Sequence, residues 1–234
     1  MNVLMIANNA KQVYLTILLC CVLSFSALGA EKVAIFAVQI DGLHQADGKG
    51  RYDKIISLIK TEIPFEMKVY PPKRVFSLFD KCLICCVSPV NQNTDFYQYT
   101  GDNYLQSKPM SIAKIYIFTK PNTKVISTLS ELQTLRVGAR SGMPYGKKIE
   151  NSGINFTFLP TIKNNIVMVL NNRLDAFIAY VPDAYKIFDQ LELSAFPHDI
   201  NNPISVHEDS IVCKKSNSTV ELIKDANVVI SNIN

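Results

Sequence analysis

The 234 residues contain no glycine-rich phosphate loop and no HExxH pair, so two signatures of phosphate and metal chemistry are missing. A dominant charge sign is missing too: 24 Lys and Arg stand against 20 Asp and Glu, a formal net charge of +4. That balance excludes a chain built to coat nucleic acid. Charged residues make up only 19% against 48% hydrophobic, too apolar a mixture for intrinsic disorder. With 9 Gly and 11 Pro, collagen-like and low-complexity classes fall away as well. No internal repeat is visible. What remains is a length that can bury one large core or two smaller ones.

The first 30 residues carry a single charged side chain, Lys11, followed by an apolar run over 13–28. The run closes on Ala27-Leu28-Gly29-Ala30, and polar sequence begins at Glu31. A positive start, an apolar middle and a small-residue exit describe a secretory signal peptide over 1–30, which places the mature chain in the periplasm. The alternative is a retained anchor, because the run approaches the ~18 apolar residues of a spanning helix. Past the leader, four cysteines remain: Cys82, Cys85, Cys86 and Cys213. In an oxidising compartment they allow three full pairings, and the sequence does not choose among them. The run Cys82-Leu83-Ile84-Cys85-Cys86-Val87 reads as a buried strand, with Cys82 and Cys86 on one face and Cys85 on the other. Buried thiols are the expectation, with Cys213 the candidate for one disulfide. No second close Cys/His pair supports a metal site, since His44, His198 and His207 are scattered. No metal and no cofactor is expected.

Strand and helix patterns alternate through the rest. Strands are expected at 32–39, 65–70, 111–119, 135–139, 156–159, 175–180 and 210–213. Helices are expected at 52–62, 74–79, 147–150, 164–171, 182–191 and 219–230, with a capped turn at 128–133 and a polar stretch over 91–103. Such alternation implies an α/β architecture with mostly parallel sheets.

Two segments carry a likeness to a known family. LQTLRVGARSGMPYG at 132–146 and NRLDAFIAY at 172–180 resemble the extracellular solute-binding proteins of family 3, in that order and at that separation. The likeness extends over essentially all of the chain beyond the leader, from GRYDKI through PPKRVFSLF and YLQSKPMSIAKIYIF to HEDSIVCKKSN. It implies the type II periplasmic-binding-protein fold: two α/β lobes joined by two crossover segments, with a ligand in the cleft between them. Lobe 1 would comprise 31–107 and 206–234, and lobe 2 would comprise 108–205. Ligand-binding candidates are Ser88 and Asn91 after the cysteine-rich strand, and Ser141, Gly142 and Met143 in the strand-to-helix turn. Arg140, Arg74 and Tyr180 complete the set. Gly142 would let backbone approach a ligand, and the N–H groups after it could hold a carboxylate.

The departures from the family pattern matter equally. Amino-acid-binding members usually carry an Arg shortly after the Ser88 position to grip the α-carboxylate, yet no Arg occurs between Arg74 and Arg136. They also tend to end the RxDAxxxD strand with an Asp, where Tyr180 stands here. The resemblance therefore implies a monomeric, non-enzymatic binder of a small polar solute, amino-acid-like or a small carboxylate, delivering it to an ABC-transporter permease or a membrane sensor, with no nucleic acid. The alternatives are a degenerate signalling module without ligand and a dehydratase-like enzyme. For the enzyme, His207, Glu208 and Asp209 are the candidates, although Asp175 and these residues read more readily as structural.

Overall fold

The computed structural model describes residues 32–233; the signal-peptide reading of 1–30 lies outside them. Strand β1 (Val33–Val38) is buried at five of its six positions. A strand covered on both faces needs no apolar/polar alternation. It is flanked in parallel by β2 (Phe65–Tyr70) and by β3 (Cys85–Val90), all six of whose residues are buried. Helix α1 (Arg51–Ser57) and helix α2 (Pro72–Lys81) make the crossovers. Pro72 sits in the first turn of α2, where a missing N–H costs nothing.

The chain then passes through the short β4 (Tyr104–Gln106) into β5 (Ser111–Thr119) and builds a second set. Its members are a 3-10 turn (Leu129–Leu132), β6 (Val137–Arg140), α3 (Lys147–Glu150), β7 (Phe156–Leu159), α4 (Ile162–Leu170), β8 (Ala176–Val181) and α5 (Asp183–Gln190). It returns along β9 (Ser205–Lys214) and ends in α6 (Asn217–Ile233). The strand order is β2-β1-β3-β9-β5-β8-β6-β7, with β4 also paired to β9.

Four ladders are parallel and four antiparallel, so the expectation of mostly parallel pairing is corrected to a mixed sheet. The antiparallel ladders all involve β5 or β9, the two strands that run between lobes. Strand β9 is longer than the 210–213 expected, because its first half alternates exposed and buried residues instead of forming an apolar run. That half pairs with β5, from Ser205 opposite Ile115 to Asp209 opposite Ser111. Its second half pairs with β3 and β4.

Apolar packing follows the same division. One core gathers Val33 through Met110 with Ile211 through Ile230, and two others line opposite faces of the second sheet between Ala113 and Ile204. Arg136 braces the second lobe with a two-point ion pair to Asp175 (2.7 and 3.0 Å), and its backbone N–H donates to the same carboxylate. Among the described residues, no helix is long and apolar enough to cross a membrane.

The cysteine expectation is corrected. Cys82 terminates α2, so the strand begins only at Cys85, and the four sulfurs form two disulfides, Cys82–Cys85 and Cys86–Cys213. Cys86 and Cys213 lie directly opposite each other on β3 and β9, a juxtaposition that only the tertiary pairing creates.

Candidate functional site

Contacts between the lobes include the ends of β1 and β6, the start of α2 and the stretch after β3. Arg140, the last residue of β6, sends Nη2 across to the carbonyl of Gln39 after β1 (2.8 Å), while its buried Nε has no hydrogen-bond partner. The next residues form the Ser141–Gly146 turn. Gly142 adopts φ +79°, and a Cβ there would meet Lys73 Cγ at 3.1 Å and Pro72 Cβ at 3.4 Å. Glycine thus allows this turn of lobe 2 to lie against the first turn of α2 in lobe 1. The Ser141 amide is spent on Leu159 O and the Tyr145 amide on Glu150. Those of Gly142 and Met143 make no hydrogen bond among the described residues.

The 91–103 stretch, read from the sequence as polar, crosses between lobes. The backbone of Asp95 accepts from Lys147 N at the start of α3 (2.8 Å). Phe96 packs against the lobe 2 core and lies edge-to-face with His207. Tyr97 and Tyr99 join the lobe 1 core, and the Tyr97 hydroxyl donates to His207 Nε2 (2.9 Å). His207 Nδ1 faces Asp209 Oδ1 at 2.7 Å, and Tyr52 donates to Asp209 Oδ2 at 2.5 Å. Because a carboxylate only accepts, Nδ1 carries the ring hydrogen and Nε2 is free to accept from Tyr97. Burial raises the Tyr52 and Tyr97 hydroxyls above their usual range, and the charge of Asp209 adds to it.

Two recesses follow from this arrangement. An inner cavity of about 20 Å³ is lined by Ile40, Leu43, Pro89, Ala113, Tyr180 and Asp183, together with His207, Asp209, Tyr97 and Met143. That volume holds about one water. An outer groove of about 690 Å³ lies between the 94–100 stretch, Phe76 of α2, the Gly142–Pro144 turn and α3. Its size is within the range of small-molecule sites. Tyr97 and Met143 line both, so together they form the partition between them.

The expected site residues divide accordingly. Met143 and Tyr180 line the inner cavity, and Gly142 and Met143 line the outer groove. Tyr180 stacks on Tyr145 and donates its hydroxyl to Pro144 O. Asn91 is buried and donates to Glu208 O (3.0 Å), tying the end of β3 to β9. Arg74 lies over the Tyr70 ring, 4.3 Å from its centre, and lines neither recess. Ser88 is fully buried, with its Oγ 3.0 Å from His44 Nε2, and His44 Nδ1 is 2.7 Å from Asp53. The order Ser–His–Asp matches a hydrolase relay. Yet Ser88 and His44 are both 0% exposed and line neither recess, so the trio braces the loop after β1 against β3.

Asp53 also accepts the backbone N–H groups of Gln45 and Gly50, both at 2.9 Å. Burial raises its pKa, but the His44 hydrogen bond and these amides outweigh burial and hold it below the usual carboxylate range. A depressed folded pKa contributes stability above the unfolded value of about 3.9 and loses it as pH falls through the folded one. Asp53→Asn should therefore cost about 1.5–3 kcal/mol in urea unfolding at pH 7 and much less near pH 3. An equal cost at both pH values would contradict this assignment.

Sequence reasoning missed the aromatic plug Phe96–Tyr97 and the carboxyl of Asp183. The plug lies in a stretch whose Asn, Gln and Asp neighbours mask it. The DAFIAYVPDA string did contain Asp183, three residues past the position where the family places its acid.

Compared by sequence, the chain matches no protein-family model and no curated protein. Its structure has the two-lobed type II periplasmic-binding-protein fold, in agreement with the resemblance to family 3 solute-binding proteins. The GluR0 ligand-binding core of Nostoc punctiforme in complex with L-glutamate superposes with a TM-score of 0.66 at 14% identity, covering 86% of this chain and 92% of that one. Holo ArgBP from T. maritima gives 0.62 at 12% identity, over 86% and 90% of the two chains. The periplasmic domain of B. pertussis BvgS gives 0.64 at 15% identity, over 87% of this chain and 40% of that chain.

Proposed function

We propose that this chain is an exported, periplasmic solute-binding protein that captures a small polar solute between its lobes and presents it to a membrane transporter or sensor. Lobe 1 is taken as 31–107 with 206–234, and lobe 2 as 108–205. The observation that carries the reading is the paired recess. Both lobes contribute to its walls, and one side offers the unpaired amides of Gly142 and Met143. Structures of the same fold bind amino acids by their own descriptions, which favours an amino-acid-like solute. Entry into the inner cavity requires Tyr97 and Met143 to move, because about 20 Å³ admits no solute of that size.

A ligand that binds only the folded protein at 100 times its Kd stabilises it by about 2.7 kcal/mol. In a chain of this size that should raise Tm by roughly 5–10 °C. The test is a thermal screen of amino acids, small carboxylates and amines, with scattering on any hit. A hit should also reduce the radius of gyration as the hinged lobes close.

A second reading, a signalling module that has lost its ligand, is favoured by one observation: Phe96 and Tyr97 of the chain itself occupy the interlobe space. A screen that moves Tm nowhere would select this reading over the first.

A further inference from the structure

The wall of the inner cavity holds two carboxyl groups and neither Lys nor Arg. Asp209 is 3% exposed and fully engaged by Tyr52 and His207. Asp183, the first residue of α5, is 4% exposed, and no other described residue hydrogen-bonds or pairs with its carboxyl. Its own backbone N–H hydrogen-bonds it. The charged and titratable groups around it come from every neighbouring element: His207 and Asp209 of β9, Tyr180 of β8, Tyr145 of the turn before α3, Asp41 after β1, and Arg140 of β6. Arg140 is the positive charge in this set, and its Nη2 is committed to Gln39 O. Burial raises Asp183 to about 7; the charges of Asp209 and Asp41 add to that rise, against the pull of its own amide and Arg140.

A buried carboxyl with no hydrogen bond but that of its own amide is costly to ionise unless a cation or donor reaches it. A carboxylate-bearing group entering this cavity would meet two acids at close range, whereas an ammonium group would find acceptors. Its three N–H donors suit Asp183, and Tyr97 and Tyr180 line the same cavity. The cavity admits a group of about one heavy atom, which an ammonium nitrogen is. Beyond the Tyr97–Met143 partition, the groove supplies Phe76, Phe96 and Tyr99 for an apolar body.

We infer that the cleft selects organic ammonium ions: primary amines whose nitrogen enters the inner cavity against Asp183 and whose apolar body lies in the outer aromatic groove. This rests on the solute-binding reading above and adds to it the charge that the solute must carry.

The experiment is calorimetry on the purified chain with disulfides intact, using ammonium, ethylamine, butylamine and phenethylamine. Acetate, 3-phenylpropanoate and L-phenylalanine are run in parallel. Phenethylamine should bind at least tenfold more tightly than 3-phenylpropanoate, which has the same body with the opposite charge. Asp183→Asn should weaken amine binding by about 10- to 150-fold. On the unmodified protein, amine affinity should rise from pH 6 to pH 8, and binding at pH 6 should release a proton as Asp183 ionises against the ligand. That release appears as a heat that varies with the ionisation enthalpy of the buffer, and it needs no variant to fold. Equal binding of amine and acid, or an Asp183→Asn protein that binds phenethylamine as before, would overturn the inference. Binding of acids or amino acids with no response to any amine overturns it while leaving the solute-binding reading intact. Silence from every probe overturns both.

Discussion

Replacing Cys86 and Cys213 together by alanine should cost about 4–5 kcal/mol of folding stability, measured by urea unfolding without reductant. The bond closes a loop of 127 residues, and the chain-entropy treatment gives roughly 4.7 kcal/mol for a 100-residue loop, rising slowly with length. The Cys82–Cys85 bond spans a separation of only 3, for which the same treatment gives about 2 kcal/mol. The two double variants therefore form an internal control. If both cost the same, loop closure is not what the long disulfide contributes. A large loss is also expected on structural grounds, because Cys86 and Cys213 are both fully buried and join β3 to β9 inside the lobe 1 core.

Asp209→Ala should cost about 2–4 kcal/mol, since a buried hydrogen-bonding group that loses its partner costs about 1–3 kcal/mol and two groups lose one here. The substitution leaves the buried Tyr52 hydroxyl with only its Ser111 hydrogen bond and leaves His207 Nδ1 without its acceptor. Tyr52→Phe removes a single donor and should cost about 1–2 kcal/mol. Equilibrium unfolding of the two variants and of their combination checks the assignment. Once Asp209 is alanine, the further loss from Tyr52→Phe should shrink to what the remaining Ser111 hydrogen bond contributes, because the stronger partner is already gone. Full additivity would mean that the 2.5 Å contact carries no coupling.

Much of the architecture is legible in the sequence where apolar and β-branched residues fall between clear turn and breaker signals. The strands at 65–70, 111–119 and 156–159 and the short helix at 147–150 coincide with the expected spans. The misses share a cause. Strand β9 alternates exposed and buried residues along Ser205–Asp209, and its polar members His207 and Asp209 are buried only because lobe 2 and the 91–103 stretch cover them. The cysteine strand began three residues early because Leu83 looks like a core residue, yet it is 85% exposed at the end of α2. At the site, the turn at 141–146 was visible through its glycines. The inward acid was not, since Asp183 at the start of a helix looks like an ordinary first-turn residue until tertiary packing buries it.

Strand β9 has a further consequence. At Asp209 it is still paired with Ser111 of β5, and at Ser210 it is already paired with Val90 of β3. One unbroken strand thus changes partners between adjacent residues, and under the solute-binding reading proposed above this point would be one of the hinges. Asp209 lies at that change of partner and Asp183 begins α5 in the other lobe, so an opening about it would lengthen the distance between the two carboxyls. If the cleft binds an organic ammonium ion as proposed, that opening would relieve the crowding of like charges, and the bound cation would be the counterweight that lets the arm come down again.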